Sequence, residues 1–223
     1  SGIGFSTLQH FYMVAVLLLI LTLLFYKKLL GNEKPAPGHT LFAWPDRTLW
    51  LLGAICFCCT VCEGAMADWS SLYYQQLSLQ VEKAASSGYT AYAFCMASGR
   101  LLGDAITERL GYKGTLMMDA LLISTGLGLA IGFPHPIIVI LGFGLVGIGV
   151  ATIIPIVYTL AWKNSRMPVS AALAAVSTVG FSGFLVGPPV IGFLAHLFTL
   201  RMALLLICVL AFVILFLSGR VKA

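Results

Sequence analysis

The sequence predicts an all-α fold, a polytopic bundle of membrane-spanning helices, and three observations carry that expectation. The 223-residue chain is 60% hydrophobic and only 9% charged, with a mean hydropathy of +0.99, whereas a soluble domain is roughly 45–50% apolar. Its apolar residues fall into seven long runs, at about 11–26, 48–74, 88–107, 115–133, 137–162, 169–198 and 202–218. Each approaches or exceeds the ~20 residues that cross a bilayer. Such runs make helices, because barrel strands alternate and open sheet edges cannot face lipid. If segment 27–47 is cytoplasmic, alternation puts Lys27, Lys28, Lys34, Arg47, Arg100, Arg109, Lys113, Lys163, Arg166, Arg220 and Lys222 inside. Only Lys83 and Arg201 are left outside, so eleven of thirteen basic residues share one side, as the positive-inside rule requires. The formal charge of +5 is therefore a topology signal. Its basic residues form no continuous stripe, which argues against nucleic acid as a partner.

The first run holds Leu, Val and Ile with one Thr22, so nothing on it could bind a polar solute and it reads as lipid-facing scaffold. It is not a secretory signal, since no basic region precedes it and Lys27 and Lys28 follow it. Segment 27–47, with Gly31, Pro35, Pro37 and Gly38, has the composition of a flexible cytoplasmic linker.

The second run is the chemically interesting one. It carries Glu63 and Asp68, and an intramembrane acid costs about 2.5–3.5 kcal/mol on insertion scales, so it usually faces a cavity or a partner. At 100° per residue Cys59, Glu63, Met66, Ser70 and Tyr73 form one stripe, which we expect to face a central cavity with Glu63 near mid-membrane. There Glu63 could exchange a proton or hydrogen-bond a solute hydroxyl; the alternative is a neutral acid bonded to a neighbouring helix. Asp68 points roughly 140° away beside Trp69, an interfacial residue type, and suits a structural or gating role. Cys56, Cys58, Cys59 and Cys62 on this helix raise soft-metal binding, but no further Cys or His group lies nearby in sequence, and buried free thiols need no ligand. With Cys95 and Cys208 also in apolar runs, the expectation is no metal and no disulfide framework.

In the third run Tyr92 and Met96, four apart, share a face and suit either the cavity or the core. Segment 99–114, GRLLGDAITERLGYKG, then concentrates Arg100, Asp104, Glu108, Arg109 and Lys113 in what reads as a short polar hinge. Gly99, Gly103 and Gly111 would permit close helix approach and a tight turn. Asp119 lies a turn and a half into the fourth run and is expected to pair with Lys113 or Arg109. His135 sits in a Pro134–Pro136 turn. The fifth run contains Gly142, Gly144, Gly147 and Gly149. This formally matches a dinucleotide fingerprint but lacks the strand that fingerprint needs, so close helix packing is the expectation. Pro155 should kink this helix, and Pro188 with Pro189 should break or bend the sixth, giving three hinge candidates. His196 reads as interfacial, and the last run as scaffold. No metalloprotease or nucleophile-elbow motif is present, so neither an enzyme nor a cofactor is expected.

Three stretches resemble a known family. The spacing G-R-x-x-G-D-x-x-x-x-R-x-G-x-K in 99–114 is similar to the cytoplasmic loop signature of the major facilitator superfamily (MFS) of transporters. The runs EGAMADWSSLYY at 63–74 and GFLVGPPVIG at 183–192 resemble helices 7 and 11 of a bacterial branch distantly related to sugar permeases. The resemblance implies the MFS general-transporter fold, with 1–26 as helix 6 of the first half, 27–47 as the inter-half linker and 48–223 as helices 7–12 of the C-terminal half, built as two inverted three-helix repeats. The chain would then be a fragment, partnered by an N-terminal half and the lipid bilayer. Segment 99–114 would be the second, degraded copy of the signature, its usual basic residue after the Asp being Ala105. Asp104 would cap a helix N-terminus and pair with a base to latch the cytoplasmic side; the alternative is a merely solvated loop. The implied function is carriage of a sugar-like or other small solute by alternating access, coupled to protons through Glu63, in the bacterial inner membrane with a cytoplasmic C-terminus. Drug efflux and a non-transporting sensor or assembly subunit are the alternatives.

Overall fold

The structure is a computed structural model that describes residues 7–29, 46–77, 87–165 and 167–221, without the side chains of Thr7, His10 and residues 27–29. The linker residues Gly31, Pro35, Pro37 and Gly38, together with Lys34, Lys83, Arg166 and Lys222, lie outside the described residues. The chain divides into two units, Ser1–Thr40 and Leu41–Ala223.

In the first unit α1 (Thr7–Leu29) is a single 23-residue apolar helix. The Thr22 hydroxyl donates to the Leu18 carbonyl one turn back at 2.8 Å, so this side chain is satisfied within its own helix, as a lipid environment demands.

The second unit comprises α2 (Arg47–Leu77), α3 (Ser87–Gly132), α4 (Pro136–Ala151), α5 (Ile153–Asn164), α6 (Val169–Leu197), α7 (Leu200–Ala203) and α8 (Leu205–Ser218). Its helices account for the six expected runs: α2 for the second, the two limbs of α3 for the third and fourth, α4 with α5 for the fifth, α6 for the sixth, and α7 with α8 for the last. Taking α4 with α5 and α7 with α8, five helical segments among the described residues are long and apolar enough to cross a membrane. The chain is a multi-pass membrane protein.

At 1.5 Å per residue the 46 residues of α3 would reach roughly 70 Å, more than twice a ~30 Å hydrocarbon core. It therefore breaks once, at Gly111 (φ 70°, ψ 165°), a backbone conformation that essentially only glycine adopts. The expected hinge is thus compressed to one residue. Residues 99–110 stay helical because Gly99 and Gly103 pack directly on Ala151 and Thr152, while Arg100, Asp104 and Glu108, spaced by four, form one exposed stripe.

Two seams of close contact organise the unit. On α6, Gly180, Gly183 and Gly187 pack against Cys56, Phe57, Thr60 and Val61 of α2, and Gly53 and Gly64 of α2 meet Val179 and Pro188. Contact numbers rise together, so α2 and α6 run parallel. Thr60 Oγ1 donates to the Gly180 carbonyl at 2.6 Å and pins the crossing. In the second seam Gly144, Gly147 and Thr152 meet Cys95, Tyr92 and Gly103 of the first α3 limb, again parallel. Gly142 and Gly149 meet Gly126 and Asp119 of the second limb, antiparallel. With Lys113 bonded to Gly219 and Arg201 to Ile131, the last helix is antiparallel to that limb. The first helix of each three-helix set thus lies against the second helix of the other, and the sets run in opposite directions: the inverted repeats the resemblance implies.

The expected kink near Pro155 is present as a break at Thr152, three residues ahead, where the missing proline N–H leaves the Ala151 carbonyl without its helical donor. The expected break at Pro188 and Pro189 is not: α6 runs through both. Their ring clashes and lost donors fall on Phe184 and Leu185 at the exposed face, and the Gly-lined seam beneath holds the helix in register.

Candidate functional site

Glu63 lies at the centre of α2, and Arg100 at the centre of the first α3 limb. Their antiparallel pairing, fixed further along by Gly88 packing on Ser70 and Tyr74, brings them together: Arg100 Nη2 stands 3.6 Å from Glu63 Oε1, with side-chain exposures of 50% and 18%. This is the one ion pair among the described residues. It corrects the placement of Arg100 in a cytoplasmic loop. Helix continues past it to Gly111, so Arg100 lies within a helix, paired with an acid of the neighbouring helix. Glu63 Oε2 is buried without a hydrogen-bond partner, so half of the carboxyl is unsatisfied.

Two other expected site residues join the pair. Arg100 Nη2 approaches Met96 Sδ at 3.8 Å, and the buried Tyr92 hydroxyl donates to the same sulfur at 3.5 Å. Tyr92, Met96 and Arg100 thus form one four-spaced stripe ending at Glu63. The rest of the α2 stripe differs from expectation, for Cys59, Met66, Ser70 and Tyr73 are buried within the unit and do not line an open wall. Cys59 Sγ faces the Val150 carbonyl at 3.9 Å, and Tyr73 donates to the Ala130 carbonyl at 2.9 Å and packs on Phe143. The reason is coverage by other helices: α3 meets Ser70 and Tyr73, and α4 and α6 cover further sides of α2, which no α2 periodicity reveals. Cys56 lies against Gly180 of α6 while Cys59 points to α4, so these thiols face different neighbours.

An open cleft of about 510 Å³ runs from Arg100 along Asp104 and Glu108 to Tyr112 beside the Gly111 break, with Thr152, Pro155 and Thr159 as the opposite wall. Its Arg100 end adjoins the ion pair, so the cleft links that pair to the polar residues beside the Gly111 break. Asp104 does not cap a helix: it lies in the helix interior seven residues before the break, exposed, and forms no ion pair among the described residues. Arg109 is likewise exposed and forms no ion pair among the described residues.

Asp119 pairs with neither expected base. It is 1% exposed, and its Oδ2 accepts a short hydrogen bond from Thr152 Oγ1, leaving Oδ1 without a partner. Lys113, six positions earlier, points about 120° away around the helix and donates to the Gly219 carbonyl at 2.8 Å; Arg109 lies beyond the break. Sequence reading missed Thr152. Its signal was a hydroxyl three residues before a proline, in the apolar stretch 137–157 that has no other polar side chain.

The chain as a whole has counterparts among known proteins. No family model matches the chain. Among curated proteins it is 36% identical over 202 residues to an uncharacterized MFS-type transporter of Yersinia pestis, covering 90% of this chain and 52% of that protein. The chain belongs to the major facilitator superfamily. Membrane protein MosC of Rhizobium meliloti is 35% identical over 159 residues, covering 71% of this chain and 39% of that protein. An uncharacterized transporter of Sinorhizobium fredii is 27% identical over 176 residues, covering 79% and 46%. Among solved structures, the peptide transporter POT in complex with alafosfalin superposes with a TM-score of 0.69 at 18% identity, over 82% of this chain and 40% of that one. That likeness shows the MFS fold. The chain spans about half the length of the curated relatives it matches.

Proposed function

We propose that the chain forms the C-terminal half, with the last helix of the preceding half, of a secondary transporter that moves a sugar-like or other small solute by alternating access, and that protons drive it through Glu63. The Glu63–Arg100 pair carries this reading. While Glu63 is ionised the pair is neutral overall. A proton on Glu63 frees Arg100, which is already half exposed to the cleft, to meet the solute or the other half. Because an unpartnered charge in the membrane interior is costly, proton occupancy and Arg100 partnering change together, and that coupling is what a carrier needs. Tyr92 and Met96 orient Arg100, and the Thr152 break is the bend available to the moving helices. Arg47, Arg109, Lys113, Lys163 and Arg220 lie at the helix ends on the Gly111 side, which the positive-inside rule makes cytoplasmic, together with the end of α8. The relatives' names as transporters and their doubled length support a second half completing the solute site, in a bacterial inner membrane.

The test uses proteoliposomes of the full-length protein, screened with small sugars and related neutral metabolites under an imposed pH gradient. Glu63→Gln should abolish gradient-driven accumulation while leaving solute exchange without a gradient. Undiminished accumulation in Glu63→Gln would remove Glu63 from coupling.

A further inference from the structure

We propose that the chain binds an anionic phospholipid in a second cavity, formed where the start of α2, the end of α5 and the end of α8 meet. This cavity has a volume of about 470 Å³, and its lining includes Arg47 and Thr48, Leu52, Leu160, Leu217 and Arg220. Both guanidinium groups stand at helix ends: Arg47 is the first residue of a membrane-spanning helix, and Arg220 follows the last residue of α8 by two. That is the depth of lipid headgroups. Neither arginine forms an ion pair among the described residues. No acidic side chain lines the cavity, in contrast to the first cleft with its Asp104 and Glu108.

The Arg220 guanidinium is held at the rim by the Phe216 ring, 4.3 Å from its centroid, a stacking that leaves its N–H edge free for an acceptor. Below the two cations the lining is apolar, with Leu51 and Leu217 partly exposed over the buried Leu52 and Leu160. A phosphodiester between two guanidinium forks satisfies the charges, and the first methylenes of an acyl chain satisfy the apolar lining, which a free inorganic anion could not. A basic pocket between transmembrane helices at the interface is the kind of site that takes an anionic headgroup. The occupant ties the first helix of one repeat to the first and last helices of the other.

The chain carries its own reporters, since Trp50 lies one turn beyond Arg47 and Trp162 two residues before Asn164. The full chain is reconstituted in phosphatidylcholine vesicles, and Trp quenching is measured as brominated phosphatidylglycerol or brominated phosphatidylcholine replaces the host lipid. Phosphatidylglycerol should be preferred several-fold. Arg47→Ala and Arg220→Ala should each lower that preference about fivefold, Arg220→Lys should keep most of it, and Lys163→Ala, a basic residue at the same end but outside the cavity, should leave it unchanged. Equal quenching by the two lipids, or an equal loss in Lys163→Ala, would overturn the proposal, as would displacement of phosphatidylglycerol by millimolar inorganic phosphate.

Discussion

Three glycine-to-alanine changes in α3 add the same methyl group and should give three different energies. At Gly111 a Cβ meets nothing within 4 Å, but φ is +70° with ψ 165°; the whole effect is conformational, a cost of about 1–3 kcal/mol. At Gly126 the backbone is helical, but a Cβ would overlap the Gly142 carbonyl oxygen and come within 3.0 Å of Leu145 and Val146 side chains. Backbone cannot yield as a side chain does, so the second limb and α4 must separate. The lost packing costs about as much as overpacking a core, typically 1–3 kcal/mol. At Gly128 the backbone is helical and a Cβ has open space, so alanine should be neutral or stabilise by up to about 1 kcal/mol. Equilibrium unfolding of the full chain in mixed dodecylmaltoside and SDS micelles, followed by far-UV circular dichroism, reads all three. If Gly111→Ala proves as harmless as Gly128→Ala, the single-residue break between the two limbs is not the structure that the protein adopts.

Two further outcomes test the polar groups inside the membrane. In a double-mutant cycle of Glu63→Gln and Arg100→Gln, read by the same unfolding assay, the pair should show a coupling of about 1 kcal/mol, the scale of a partly exposed ion pair; additivity within about 0.3 kcal/mol would mean the two charges do not sense one another. Thr152→Val should leave the buried Asp119 carboxyl with no donor and cost about 1–3 kcal/mol, while adding Asp119→Leu should recover much of that, because an apolar pair leaves nothing unsatisfied; a double variant worse than Thr152→Val alone would show that Asp119 has another partner.

Hydropathy and the glycine-rich segments made every helix legible, because lipid permits little else for long apolar runs. The close seams were legible too: glycines at 142, 144, 147 and 149 announced a smooth face, and that face packs on both limbs of α3. Partners across the fold were not. Glu63 stood out as an intramembrane acid, but its base was assigned to a loop, since a cluster of charges between apolar runs looks alike whether it is a turn or the exposed stripe of a longer helix. The four-residue spacing of Arg100, Asp104 and Glu108 was the cue for helix. Asp119 was matched to bases near in sequence, whereas its hydrogen bond comes from Thr152 on another helix. The burial of Cys59, Met66, Ser70 and Tyr73 depends on helices encoded later in the chain, and one helix's periodicity shows only that a face is distinctive.

The parallel pairing of α2 with α6 has a consequence for how the protein is made. Thr60 and the Gly180 carbonyl it holds are 120 residues apart, and nearly every helix of the unit is synthesised between them. A nascent chain that has inserted α2 and α3 therefore holds half of each seam without its complement, presenting small residues to lipid that offers them no close packing. The two repeats cannot mature one after the other, because each supplies a surface the other needs. Assembly waits for α6, and a chain terminated after Gly132 should be inserted yet unpacked, a substrate for membrane quality-control proteases although every one of its helices is intact.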